Sequence, residues 1–159
     1  MPHATADLCD KHIERLQVLD PMLSDFGGLT MFEGEIRTLK VFEDNSLVRK
    51  ALEMDGTGKV LVIDGGGSFR CALVGDQLAS LAVQNNWRGI VVFGCVRDIR
   101  QMMDMEIGLK ALAASPVKSI KRNEGQTDIP VRFGGVDFFP GHYLYSDEDG
   151  LVVAECPLI

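Results

Sequence analysis

The chain has 159 residues, 46% of them apolar, and a formal net charge of −7. A chain of this size buries on the order of 70% of the surface its unfolded form exposes, so one domain, residues 1–159, with its own core is expected. The acidic balance and dispersed basic residues give neither a phosphate-tracking stripe nor an arginine-rich arm, which argues against direct nucleic-acid binding.

Cys9, Cys71, Cys95 and Cys156 never form a C-x-x-C pair, and His3, His12 and His142 lack zinc-site spacing. Reduced, structural cysteines are expected. The N-terminal region lacks the basic and apolar blocks of a secretory signal, and no apolar run approaches the roughly 20 residues of a membrane helix. The expectation is a cytoplasmic protein with no membrane contact.

In chain order, Thr5 is placed to cap a short helix through Asp7-Leu8-Cys9-Asp10, and Pro21 and Gly27-Gly28 mark a loop. Residues 35–42 have strand composition. Asp44 or Asn45 then caps a helix over about 46–54, closed by Gly56 and Gly58. Val60-Leu61-Val62-Ile63, ended by Asp64-Gly65-Gly66-Gly67, reads as a buried parallel strand. Gly75-Asp76 opens a helix over 76–87, whose Leu78, Leu81 and Ala82 fall on one face, with Gly89 as its stop. Ile90-Val91-Val92-Phe93, again ended by glycine at Gly94, completes a βαβ unit with a right-handed crossover. Further on, a short helix over 99–105, a strand over 109–114 and a polar loop over 121–128 are expected. The tail from Gly134 to Val153 reads as strands, with a tight hairpin turn at Asp147-Glu148-Asp149-Gly150. The class is α/β.

In a βαβ unit both parallel strands end on the same sheet edge, where ligands bind. Gly65-Gly66-Gly67, Gly75-Asp76 and Arg97-Asp98 are therefore expected to meet. The first-turn N–H groups near Gln77 and Leu78 suit a carboxylate, aided by the helix dipole. Arg97 adds a permanent planar cation for a carboxylate or an enolate oxygen. Asp98, with Asp76 nearby, supplies the one or two carboxylates that Mg²⁺ or Mn²⁺ takes from a protein. Each motif also has an ordinary reading: Gly-Asp as a helix cap, Arg-Asp as a surface ion pair. Convergence is what favours a site. The three glycines suit a tight turn better than a dinucleotide fingerprint, because Arg70 stands where the third glycine would be. Cys95 suits a small buried hydrophobe better than a nucleophile.

Phe42-Glu43-Asp44-Asn45, Val62-Ile63-Asp64-Gly65-Gly66-Gly67-Ser68, Gly75-Asp76-x-Leu78-Ala79, Gly94-x-x-Arg97-Asp98, Phe133-Gly134-Gly135-Val136 and Asp147-x-Asp149-Gly150 together resemble the regulator of ribonuclease activity A family. That family includes the class II 4-hydroxy-4-methyl-2-oxoglutarate aldolases. The match runs from about Leu8 through Val153, and its most telling element is Asp76 followed, after twenty residues, by Arg97-Asp98.

The resemblance implies a single-domain β/β/α sandwich like the swivelling phosphohistidine domain, a homotrimer with sites near subunit boundaries, and a divalent cation, Mg²⁺ or Mn²⁺. Gly75, Asp76, Gln77, Leu78 and Arg97 would bind the pyruvyl part of a small 2-oxo acid. Asp98 would coordinate the metal, with Asp76 acting through water. Aldol cleavage and oxaloacetate decarboxylation would share a pyruvate enolate, stabilised by the metal and Arg97 without a Schiff-base lysine. The proton would travel through water at the metal or a neighbouring subunit's carboxylate, with Glu33, Glu35 and Asp64 as candidates. The alternative within the family is a non-catalytic regulator that binds ribonuclease E. The complete Arg-Asp pair favours the enzyme. His142 stands where related sequences often carry Asp, and the longer C-terminal extension of some aldolases is absent.

Overall fold

A computed structural model of the chain describes residues 3–158. Four parallel strands form its centre: β3 (Phe32–Lys40), β4 (Lys59–Asp64), β6 (Gly89–Val96) and β7 (Gly108–Ala114). Antiparallel strands extend this sheet on both sides, in the order β1-β12-β11-β3-β4-β6-β7-β2. The additions are β1 (Gln17–Val18), β2 (Ser24–Asp25), β11 (Tyr143–Asp147) and β12 (Gly150–Ala154). Two short strands lie off this path, β5 (Ala72–Val74) beside β6 and β8 (Gln126–Thr127) beside β3. The result is a mixed sheet in an α/β domain.

The apolar runs are continuous because both sheet faces are covered. Leu61 and Ile63 point to the face carrying helices α2 (Ser46–Leu52), α3 (Asp76–Gln84) and α4 (Ile99–Met102). Val60 and Val62 point to the other, packed against a separate ribbon of β9 (Val131–Phe133) and β10 (Val136–Phe138). The period-two alternation of a strand thus supplies two cores from one segment. In the second, Phe133 stacks on both Phe93 and Phe138, at centroid separations of 4.8 and 4.6 Å.

Several boundaries differ from the sequence expectation. Helix α1 (Thr5–His12) begins at Thr5, but Thr5 does not cap it: its hydroxyl and N–H both donate to the buried carboxylate of Asp147, at 2.7 and 2.8 Å. Strand β3 starts three residues early because β11 pairs along Phe32 to Glu35. Helix α3 stops at Gln84 rather than running to Trp87, and Asn86, at φ +68°, makes the turn. Gly89 is not the stop but the first residue of β6, where the Phe32 ring covers it too closely for a side chain. Nor does Gly94 end β6, which continues to Val96. Gly134 and Gly135, at φ +57° and +79°, are the turn between β9 and β10 rather than strand. Between β11 and β12 the expected tight hairpin is present, with Asp147 opposite Gly150.

No helix among the described residues is long and apolar enough to cross a membrane.

Candidate active site

The carboxyl ends of β5, β6 and β7 share one edge, and the segments that follow them meet there. Strand β5 runs parallel to the last residues of β6, with Ala72 opposite Cys95 and Val74 opposite Val96. This brings Gly75, just after β5, against Arg97-Asp98, just after β6. A Cβ on Gly75 would lie 2.6 Å from Asp98 Oδ2, so only glycine leaves that carboxylate in place. Asp98 Oδ2 in turn accepts the Asp76 N–H at 3.1 Å. Asp98 itself has φ +62°, a conformation that costs energy outside glycine but which Asp tolerates better than most.

Residues Gly75, Asp76, Gln77, Leu78, Arg97 and Asp98 line one cavity of about 160 Å³. Arg97 is half-buried; its N–H donates to Val74 O at 2.9 Å and its Nη1 to Pro116 O at 3.4 Å. At the start of α3 the Asp76 N–H is taken by Asp98 and the Ala79 N–H by Gly75 O. The N–H groups of Gln77 and Leu78 have no partner among the described residues. Two free donors at a helix N-terminus beside an arginine have the charge and geometry to cradle a carboxylate. The Leu78 side chain is buried in the core, so its part in the cradle is its backbone.

The acids suit a hydrated divalent cation. One Asp98 oxygen is engaged by an amide while the other makes no hydrogen bond among the described residues, and Asp76 stands beside it. No group of three or more His, Cys, Asp or Glu side chains gathers among those residues. One or two carboxylates with the remaining positions left to water is how Mg²⁺ is held, and unlike a closed zinc cage.

The remaining sequence candidates lie elsewhere. Gly65-Gly66-Gly67 do not reach the cavity: Gly66 packs against Phe42 and Gly67 against Phe93, beside a separate depression that includes Asp64. The reason is β5, which the sequence reading did not anticipate. It separates this turn from α3. Glu33 and Glu35 lie at the opposite edge, where β3 enters the sheet, and Glu33 bonds His3 Nδ1 at 3.0 Å. A six-residue strand such as β4 is about 20 Å long, so neither acid reaches the cavity of its own chain. Burial pushes the Cys95 thiol up, away from the reactive thiolate. His142 packs on Phe139, away from the cavity.

Asn45, Arg49, Lys118, Ser119 and Lys121 also line the cavity, and sequence reasoning had not singled out any of them as site residues. The sequence offers Asn45 as a helix cap and as part of the family-like Phe42-Glu43-Asp44-Asn45, without a role in the site. The basic residues of 118–121 stand on a loop whose fold depends on a distant acid, Asp44, and local pattern gives no sign of that.

The family model for RraA-like proteins, described as Aldolase/RraA, matches residues 5–153. The chain belongs to this family. A relative from Aromatoleum aromaticum, provisionally named a 4-hydroxy-4-methyl-2-oxoglutarate aldolase, is 58% identical, with 100% of each chain covered. Among solved structures, the RNA-processing inhibitor RraA from Thermus thermophilis is 47% identical, with a TM-score of 0.96 over 100% of this chain and 96% of the other. An S-adenosylmethionine: 2-dimethylmenaquinone methyltransferase from Geobacillus kaustophilus is also 47% identical, with a TM-score of 0.97 over 98% and 97% of the two chains. Three different activities are thus attached to one Aldolase/RraA fold, and the site must decide between them.

Proposed function

We propose that this Aldolase/RraA chain is a divalent-metal-dependent lyase that cleaves 4-hydroxy-4-methyl-2-oxoglutarate to pyruvate and also decarboxylates oxaloacetate. The observation that carries the reading is the contact of Gly75-Asp76 with Arg97-Asp98, which brings free helix N–H groups, Arg97 and the acids Asp76 and Asp98 to one small polar cavity. Its 160 Å³ is below the roughly 300–1,000 Å³ of drug-sized ligand sites. That favours a short acid over the adenosyl cofactor of a methyltransferase.

The residues divide the work. The Gln77 and Leu78 N–H groups hold the C1 carboxylate of the substrate. Arg97 faces the 2-oxo oxygen, where negative charge develops as the C3–C4 bond breaks and C3 keeps the electron pair. Asp98, held by the Asp76 N–H, is the metal ligand, and Asp76 acts through water. Mg²⁺ or Mn²⁺ supplies Lewis-acid stabilisation of the same developing charge. With Glu33 and Glu35 at the far sheet edge, the proton passes through solvent or a carboxylate of a second copy in a homotrimer. The likeness to the swivelling phosphohistidine domain belongs to the same proposal at the level of fold, and a superposition checks it.

Pyruvate release from both substrates, followed with and without a chelator, tests the reading. Release should need the metal and fall at least about a hundred-fold in Arg97→Ala and Asp98→Ala. Turnover indifferent to both substitutions would sink the assignment.

A second reading rests on the 47% identity to the RNA-processing inhibitor: the chain binds ribonuclease E and restrains it without chemistry. Mixing the two and following RNA cleavage, with Asp98→Ala as control, tests it. No binding at micromolar concentration removes it.

A further inference from the structure

The cradle and Arg97 account for one carboxylate, yet the cavity carries more positive charge than one carboxylate uses. Its lining includes Arg49, Arg97, Lys118 and Lys121 against only Asp76 and Asp98, in a chain whose net charge is −7. Among the described residues no carboxylate pairs with Arg49, Lys118 or Lys121. Asn45, between α2 and this wall, donates its Nδ2 to Leu73 O at 3.1 Å and leaves Oδ1 buried with no partner.

The basic wall is fixed. Ala72 donates to Val117 O at 2.7 Å, the Asn45 N–H to Ser119 Oγ at 3.2 Å, and Ile120 to Glu43 O at 3.3 Å. The Arg122 and Glu124 N–H groups both donate to Asp44 Oδ2, at 2.8 and 3.1 Å. Lys118 and Lys121 therefore project from backbone pinned on either side of each.

We propose that Arg49, Lys118 and Lys121 form a second anion subsite, which takes the distal carboxylate of a dicarboxylic 2-oxo acid. This rests on the pyruvyl cradle of the proposed function and adds the residues that select among its substrates. In aldol cleavage the distal carboxylate survives on the departing fragment, so these cations stabilise substrate and transition state alike. In decarboxylation the corresponding carboxylate leaves as neutral CO₂, so holding it as an anion opposes the reaction. The subsite thus favours cleavage of dicarboxylic aldols over decarboxylation.

Calorimetric titration in the presence of Mg²⁺ with 2-oxoglutarate and 2-oxopentanoate tests this, because the two share a five-carbon chain and differ only in the distal carboxylate. The wild-type chain should prefer 2-oxoglutarate by about ten-fold or more. That preference should shrink at raised ionic strength. It should collapse below about three-fold in Lys118→Met/Lys121→Met and in Arg49→Met, and recover in Lys118→Arg/Lys121→Arg. Equal affinities for both acids in the wild-type chain overturn the subsite and leave the cradle standing. If neither acid binds, both the subsite and the cradle are overturned.

Discussion

Asp98 bears three demands at once. It adopts a left-handed conformation, caps the short helix α4 through its carbonyl, and offers its carboxylate to the Asp76 N–H. Asn tolerates the same backbone, so Asp98→Asn should keep stability within about 1 kcal/mol while abolishing metal-dependent turnover; a denaturation curve beside the pyruvate assay checks both. Gly75→Ala should act by a different route. Its φ of −130° suits any residue, but the added Cβ would press on Asp98 Oδ2. A carboxylate displaced by about 1 Å can cost on the order of a hundred-fold in rate, so kcat/KM should fall by that order while the thermal transition stays cooperative. Arg97→Lys should not restore activity to Arg97→Ala, because the compact ammonium lacks the planar fork. These residues were legible because a helix start and a strand end have fixed consequences for N–H groups and sheet edges. The left-handed turn at Asp98 was not legible, since an Arg-Asp pair after a strand carries no local sign of it.

Among the elements, β4 and β6 were readable as apolar runs because both sheet faces are buried there. Strand β5 was hidden: three residues have no period, and its pairing is with the far end of β6. That omission misplaced Gly65-Gly66-Gly67. The start of the polar loop read over 121–128 gave no sign of its order, because what holds it is the buried Asp44, 78 and 80 residues before its partners Arg122 and Glu124. Burial alone would raise the Asp44 carboxyl. Hydrogen bonds from the Ser46 hydroxyl and N–H, and from the Glu124 and Arg122 N–H groups, more than offset it and hold the pKa at about 2, below the ordinary 3.8. With the folded value depressed, this stabilisation is present above pH 3.8 and lost as pH falls through about 2. Asp44→Ala should therefore cost about 3 kcal/mol near neutral pH, and the gap from the wild-type chain should close as the pH is lowered over that window. Thermal melts at stepped pH measure it. Lys118 and Lys121 should become more mobile in the same variant, visible as faster amide exchange across 117–124.

The whole molecule has two contrasting edges. The carboxyl ends of the parallel strands carry the cradle and the basic wall, whereas Glu33, Arg88 and Tyr143 line a depression at the entry edge. If the proposed trimer sets one copy's entry edge beside another's cavity, Glu33→Gln should lower turnover with little effect on Tm, and sedimentation should give three times the chain mass. A monomer with full activity would rule that arrangement out. Length anticipated one domain, and the alternation of strand and helix patterns anticipated its α/β class. The docking of the β11–β12 hairpin on β3 was beyond them, because antiparallel pairing across more than a hundred residues leaves no local trace. In the proposed reaction Gly75-Leu78 and Arg97-Asp98 generate a pyruvate enolate. Proton exchange from the methyl group of pyruvate in D₂O, followed by NMR, tests that step without any aldol substrate. Exchange should require Mg²⁺ or Mn²⁺ and disappear in Arg97→Ala and Asp98→Ala. No exchange by the metal-loaded wild-type chain, or equal exchange in those variants, would contradict that reaction.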